Sequence, residues 1–299
     1  MERLPFAMPP SQPSEAEPVW NGRAFVVGDT TRRVLCYATG SSGWNDELTR
    51  LHEEETAGGS HFIDLASRAR AIAALQHFLP GGKTPTILEV GVSGGHFLSD
   101  LQRHFPAAMI IGADYTRGSL EDIADRFSGL PLIQMDLTDS PFPADAFDAV
   151  ILLNVLEHIE HDDLAVAHCF RMLRPGGVLV VEVPAGPGLY DNYDRELMHF
   201  RRYRRQGLVK LATDAGFHVE EASHIGCLLY PPFWLSKKFN QTRSAGRKSE
   251  GSRVRQAIQS TSRFGALGRG IMQAEQFLSR YADLPIGIRC TAICRKPLP

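Results

Sequence analysis

Three carboxylates close three apolar runs: Glu89 in "TILEVG", Asp114 in "AMIIGAD" and Asp136 in "PLIQMD". Between Glu89 and the amphipathic stretch "HFLSDLQRHF" the chain is nearly bare: Gly91, Val92, Ser93, Gly94 and Gly95. Such a turn lets backbone approach a ligand closely. The helix that follows offers free N–H groups and a partial positive charge. A carboxylate at 89 would repel a pyrophosphate but suits a cationic ligand. The Gly91, Ser93, Gly95 spacing also departs from the G-x-G-x-x-G dinucleotide fingerprint. Asp114, 25 residues past Glu89, is placed to hold both hydroxyls of a ribose. Asp136 can accept from an exocyclic amine. Together the acids describe a ligand with an amino group, a ribose and an adenine.

These residues need rigid elements beneath them, and the pattern supplies them. "TILEV", "AMIIGAD", "PLIQMD", "AFDAVILLNV" and "VLVVEVP" read as strands without a polar face. "HFLSDLQRHF", "RGSLEDIADRF" and "HDDLAVAHCFRML" between them read as helices. This alternation predicts a parallel sheet covered on both sides, an α/β doubly wound fold. Upstream, residues 23–38 suggest a hairpin around Gly28-Asp29, and about 46–78 reads as helical. The expected organisation is a mobile tail over 1–22, a cap over 23–84 and a main domain over 85–299. An insertion at about 229–285 interrupts that domain. It opens with "LYPPFWL" and continues, from Lys237 to Arg263, with eight Lys or Arg and one acid.

The formal net charge of -2 gives no field to draw the chain onto nucleic acid. Five scattered cysteines, with no C-x-x-C pair, signal neither a disulfide framework nor a zinc site, and reduced thiols in the cytoplasm are expected. The longest apolar runs are too short to span a bilayer.

"ILEVGVSGG", "GADYT", "MDLTD", "FDAVILLNVLEHI" and "LRPGGVLVVEVP" resemble, in order and spacing, the successive motifs of class I S-adenosylmethionine-dependent methyltransferases over about residues 85–225. Val92-Ser93-Gly94 stands where the family often has Cys-Gly-Thr. The resemblance implies a seven-stranded, mostly parallel Rossmann-like sheet that ends in an antiparallel hairpin. It implies S-adenosylmethionine as cofactor. Glu89 would lie near the methionine amine, with Gly91, Ser93, Gly94 and Gly95 under the methionine and ribose. Asp114 and Tyr115 would meet the ribose, Asp136 and Leu137 the adenine, and Asn154 the methyl donor. "VPAGPGLYDNYDRELMHFRRYRRQGL" is similar to a branch with a G-H-x-R-R-Y loop, with Met198 in place of the glycine.

Methyl transfer to a hydroxyl is helped by a base. His199 is the first candidate, because a neutral imidazole is poised near physiological pH. Asp194 could orient it and Tyr203 could bind the acceptor. The competing reading has His199 only tying down the loop. Glu157, His158, His161 and His168 look metal-like, but "LEHI" belongs to the cofactor motif and the rest to a helix start, so no metal is expected. The expected partner is a small-molecule or glycan acceptor, methylated on oxygen, and not nucleic acid. A peripheral membrane contact through 229–263 is compatible with the aromatic and basic run. The sequence sets no oligomeric state. A nicotinamide-dependent oxidoreductase and a non-catalytic S-adenosylmethionine-binding protein are the alternatives.

Overall fold

The computed structural model describes residues 3–38, 61–79, 81, 84–243, 265–279 and 283–299. Near the N-terminus β1 (Val19–Trp20), β2 (Phe25–Val27) and β3 (Thr30–Arg32) form a small antiparallel sheet. The expected hairpin is the β2–β3 pair, turning at Gly28 with φ 57°. Its second strand stops at Arg32. The chain then enters β4 (Val34–Cys36), which leaves the hairpin to join the main sheet.

The main sheet continues with β5 (Thr86–Val90), β6 (Met109–Asp114), β7 (Leu132–Gln134), β8 (Phe147–Leu153), β9 (Leu173–Pro184), β10 (His218–Ile225) and β11 (Arg289–Arg295). Its order is β10-β11-β9-β8-β5-β6-β7-β4, and the pairings from β9 to β4 are parallel. The sheet thus has the expected seven strands plus β4 as an eighth at the edge. β11 runs antiparallel to both β10 and β9, which is the expected antiparallel C-terminal pair.

The helices are α1 (Phe62–Phe78), α2 (His96–His104), α3 (Arg117–Ala124), α4 (Asp162–Met172), α5 (Asn192–Glu196), α6 (Arg205–Asp214), α7 (Tyr230–Arg243) and α8 (Gly265–Leu278). Strand side chains alternate between faces. Ile87, Ile110 and Ala149 therefore pack with Leu75 of α1, Leu98 of α2 and Ile123 of α3. Leu88, Ile111 and Val150 pack on the other face with Val166 of α4 and Leu208 of α6. The N-terminal segment shares this second face: Met8, Trp20 and Leu35 are buried in the same cluster. Phe6 meets Phe142 and Phe147 edge-on, at 5.9 and 5.4 Å between centroids. Leu4, Phe6, Met8 and Trp20, from the stretch expected as a tail, thus pack against the sheet.

The insertion contributes α7 and α8, and the stretch between them lies outside the described residues. Gly268 of α8 touches Phe62 of α1 so closely that a Cβ would stand 2.6 Å from the ring. Among the described residues, no helix is long and apolar enough to cross a membrane.

Candidate active site

β5 pairs with both β6 and β8, so the strand order reverses there, and such switch points open a crevice at the carboxyl ends of the strands. The candidate cofactor residues gather at those ends. Glu89 is buried on β5, and its Oε2 has no hydrogen-bond partner among the described residues. Burial, then the nearby Asp114 and Asp100 carboxylates, raise its pKa well above the ordinary value. A carboxyl group so placed resists ionisation, and a cation beside it would oppose that shift.

The turn after β5 is held by its own backbone. Gly91 N–H donates to the Ala113 carbonyl at 2.8 Å, and Gly95 N–H to the Val92 carbonyl at 2.7 Å. Gly91 has φ 80° and a Cβ there would stand 2.6 Å from Val155 Cγ2, so glycine is required twice over. Gly95, at φ 72°, opens α2. Ser93 takes φ 45° without being glycine, and its N–H donates to Asp114 Oδ2 at 3.1 Å. Asp114 Oδ1 accepts from the Thr116 N–H and hydroxyl at 2.9 and 2.8 Å. Burial raises the pKa of Asp114, and these hydrogen bonds oppose the shift. Tyr115 is half-buried beside it, its carbonyl accepting from Gln134. Asp136 follows β7 and caps a short 3-10 turn through Thr138, with Leu137 buried beneath. Asn154 follows β8 at φ 55°, its N–H donating to the Glu182 carbonyl at 2.9 Å. The unpartnered Glu89 oxygen and the bare backbone of 91–95 fit a ligand carrying an ammonium group, and Asp114 sits one strand away.

The second cluster lies beyond β9. Asp194 is fully buried in α5. Its Oδ1 accepts from His199 Nδ1 at 2.9 Å and from Arg202 Nε at 2.7 Å, and its Oδ2 from Lys237 Nζ at 3.1 Å. Burial alone would raise the pKa of Asp194, but those donors hold it far below the ordinary range. His199 is lowered by burial and by the Arg202 and Lys237 charges, against the pull of Asp194. The His199 ring lies 4.7 Å from that of His158, on the loop that begins at Asn154. Phe200 N–H donates to the Glu157 carbonyl at 2.7 Å, tying this loop to the end of β8. Glu157 is buried, with its pKa pushed up to about 8, chiefly by burial.

Tyr203 was expected to meet the acceptor. The structure instead directs its buried hydroxyl to Asp162 Oδ2 at 2.7 Å and to the Leu156 carbonyl at 3.1 Å. Burial, followed by the bond to Asp162, raises its pKa strongly. That hydroxyl braces α4 against the loop. Lys237 is the residue that sequence reasoning passed over, whereas Arg202 belongs to the G-H-x-R-R-Y-like loop already picked out. Lys237 opens the basic run and reads as solvated surface, yet it is buried between Asp191 at 2.7 Å and Asp194. Its partners lie more than forty residues upstream, beyond the reach of local pattern.

Residues 88–181 match the family described as "Methyltransferase domain". A relative from Mycolicibacterium smegmatis, described as a probable S-adenosylmethionine-dependent methyltransferase, is 30% identical over 140 residues. The match covers 45% of this chain and 52% of that protein, so the chain spans about half the length of the curated relative. Among solved structures, a protein from Galdieria sulphuraria described as a "putative sarcosine dimethylglycine methyltransferase" superposes with TM-score 0.57 at 11% identity, over 84% of this chain and 99% of that one. A phosphoethanolamine N-methyltransferase of Haemonchus contortus, solved with phosphomonomethylethanolamine and S-adenosylhomocysteine, gives TM-score 0.54 at 15% identity, over 83% and 57%. At those identities the likeness is one of fold. With the motif order and the sheet topology, these matches establish that the chain carries a class I S-adenosylmethionine-dependent methyltransferase domain.

Proposed function

We propose that the protein methylates an oxygen atom of a small-molecule or glycan acceptor, with Glu89, Asp114, Asp136, Leu137 and Asn154 as the cofactor set. The observation that carries the reading is the buried His199–Asp194 pair beside the loop that starts at Asn154. S-adenosylmethionine, when bound, supplies a methyl group already activated by the positive sulfur. The chain's own task is then alignment and exclusion of water. Glu89 offers its unpartnered oxygen to the ammonium, and Asp114 its remaining acceptor capacity to the ribose hydroxyls. Asp194 holds the imidazole of His199 through Nδ1–H and leaves Nε2 as the atom that takes a proton from the acceptor hydroxyl.

The five unpaired cysteines accord with a reducing cytoplasm. Relatives act on small molecules: one at 25% identity over 142 residues is a trans-aconitate 2-methyltransferase of Paracidovorax citrulli, covering 47% of this chain and 50% of that protein. The test is transfer of label from methyl-labelled S-adenosylmethionine to a panel of hydroxyl, amine and carbon acceptors. Labelled ethers or esters are the expected products. Labelling of amines or carbon alone would overturn the oxygen assignment, and binding of NAD in preference to S-adenosylmethionine would overturn the whole reading.

A further inference from the structure

The loop after β8 turns through a short 3-10 segment, Leu156–His158, that carries Glu157 and His158 to the side of His199. One potential ligand atom from each of Glu157, His158 and His199 lies within 4.8 Å of the others. We propose that Glu157, His158 and His199 form a binding site for a divalent transition-metal ion at the acceptor end of the cleft. The sequence brought Glu157 and His158 together with His161 and His168, but the fold replaces those two histidines with one that lies 41 residues beyond His158.

Three observations carry the inference. The first is chemical: two imidazoles and one carboxylate are a set that zinc and its first-row neighbours take while keeping positions open, whereas magnesium and calcium prefer oxygen throughout. The second is an unmet need. Glu157 Oε2 is buried without a hydrogen-bond partner among the described residues. A buried carboxyl oxygen left unpaired carries a desolvation cost, which a bound cation would remove. The third is the support behind His199. Its Nδ1 is committed to Asp194, so Nε2 is the nitrogen it can offer. Asp194 is itself held by Arg202 and Lys237. A carboxylate behind a histidine in this way fixes the tautomer and strengthens the ligand. Backbone bonds set the spacing: His199 N–H to the Asp194 carbonyl at 2.8 Å and Phe200 N–H to the Glu157 carbonyl at 2.7 Å.

With the ion bound, the site replaces the imidazole as the means of activating the acceptor hydroxyl; for its purpose, though not for its existence, it rests on the oxygen-methylation reading. The Nε2 lone pair has one use at a time. With the ion bound, His199 is a ligand, and the acceptor oxygen fills an open position where the ion's charge makes its proton more acidic. The proton then leaves to water rather than to imidazole.

The experiment uses the full chain stripped with chelator and titrated with Co²⁺ and Zn²⁺ alone, without acceptor. Binding is followed by calorimetry and by the visible absorption of Co²⁺. One equivalent is expected, with the absorption of a mixed nitrogen and oxygen site and a rise in Tm. Glu157→Gln and His158→Ala should each weaken binding by tenfold or more, and Asp194→Asn by about 10- to 100-fold. The Co²⁺ spectrum of the unaltered chain decides the matter even if a variant folds poorly. S-adenosylmethionine affinity, measured on the same samples, reports separately on the methyltransferase reading. No saturable binding, or binding untouched by Glu157→Gln and His158→Ala, would overturn the metal site whatever the cofactor does.

Discussion

Ser93 adopts φ 45° at the centre of the turn over which the cofactor is proposed to lie, flanked by Gly91 at 80° and Gly95 at 72°. The left-handed region costs an L-residue about 1–2 kcal/mol, part of which glycine would return as chain entropy. Ser93→Gly is therefore expected to leave stability unchanged or raise it by up to about 1 kcal/mol in urea denaturation. Gly91→Ala faces both the backbone cost, about 1–3 kcal/mol, and the Val155 methyl at 2.6 Å. It should lower stability and cofactor affinity together, and a variant as stable as the parent would contradict the geometry.

Glu89 offers a pH test. Its folded pKa is raised, so the stability that the neutral acid contributes is complete below about 4.5 and is lost as pH climbs toward the raised value. Binding an ammonium reverses the preference and expels the proton. S-adenosylmethionine affinity should rise with pH across that window, with proton release seen by calorimetry in buffers of different ionisation enthalpy. Glu89→Gln should abolish the release and weaken binding at least tenfold, as expected for a charged hydrogen bond of about 1.5–3 kcal/mol.

At the scale of elements, α7 is fastened to the segment around α5 by one buried cation. Lys237 bridges Asp191 and Asp194, lies 5.1 Å over the Tyr193 ring, and is helped by Gln241 Nε2 donating to the Tyr190 carbonyl at 2.9 Å. Burial, and then Arg202, lower the Lys237 pKa. Removing one partner of a buried pair costs about 3–5 kcal/mol because the other charge is stranded. Arg202 and His199 still serve Asp194, so Lys237→Met should fall toward the lower end, about 3 kcal/mol. Proteolytic cleavage in α7 should become faster. If α7 is as resistant in Lys237→Met as in the parent, the ion pair is not what fastens it. At the other end of the insertion, Glu275 of α8 accepts from the Gly226 and Leu228 N–H groups at 2.6 and 2.9 Å, which anchors α8 beside β10.

At the scale of the molecule, the first residues complete one face of the sheet. Met8 is 1% exposed, and Tyr37 donates its hydroxyl to the Pro9 carbonyl at 2.6 Å. Met8→Ala should therefore cost about 2–5 kcal/mol, as a buried methionine does when truncated. A loss below about 0.5 kcal/mol in urea denaturation would mean that this segment is not packed in solution.

The alternation of apolar strands and amphipathic helices, the glycine turn and the acids at strand ends were all legible along the chain, because each is a local pattern with a fixed period. The parallel sheet, its antiparallel C-terminal pair and the positions of Glu89, Asp114 and Asp136 at strand ends follow from that pattern and recur in the structure. Three-residue β4 carries too little pattern to announce itself, and it becomes a strand only because β7 offers an unpaired parallel edge. The N-terminal segment, rich in proline and acids, is ordered by the apolar face it covers rather than by any propensity of its own. Only the tertiary structure could send the Tyr203 hydroxyl to Asp162, bury Lys237 against Asp194, and bring His199 to Glu157 and His158. Those contacts join residues far apart in sequence, and for Lys237 and Asp194 the energy that selects the pairing is the cost of leaving buried charge unpaired, which no local window of residues contains.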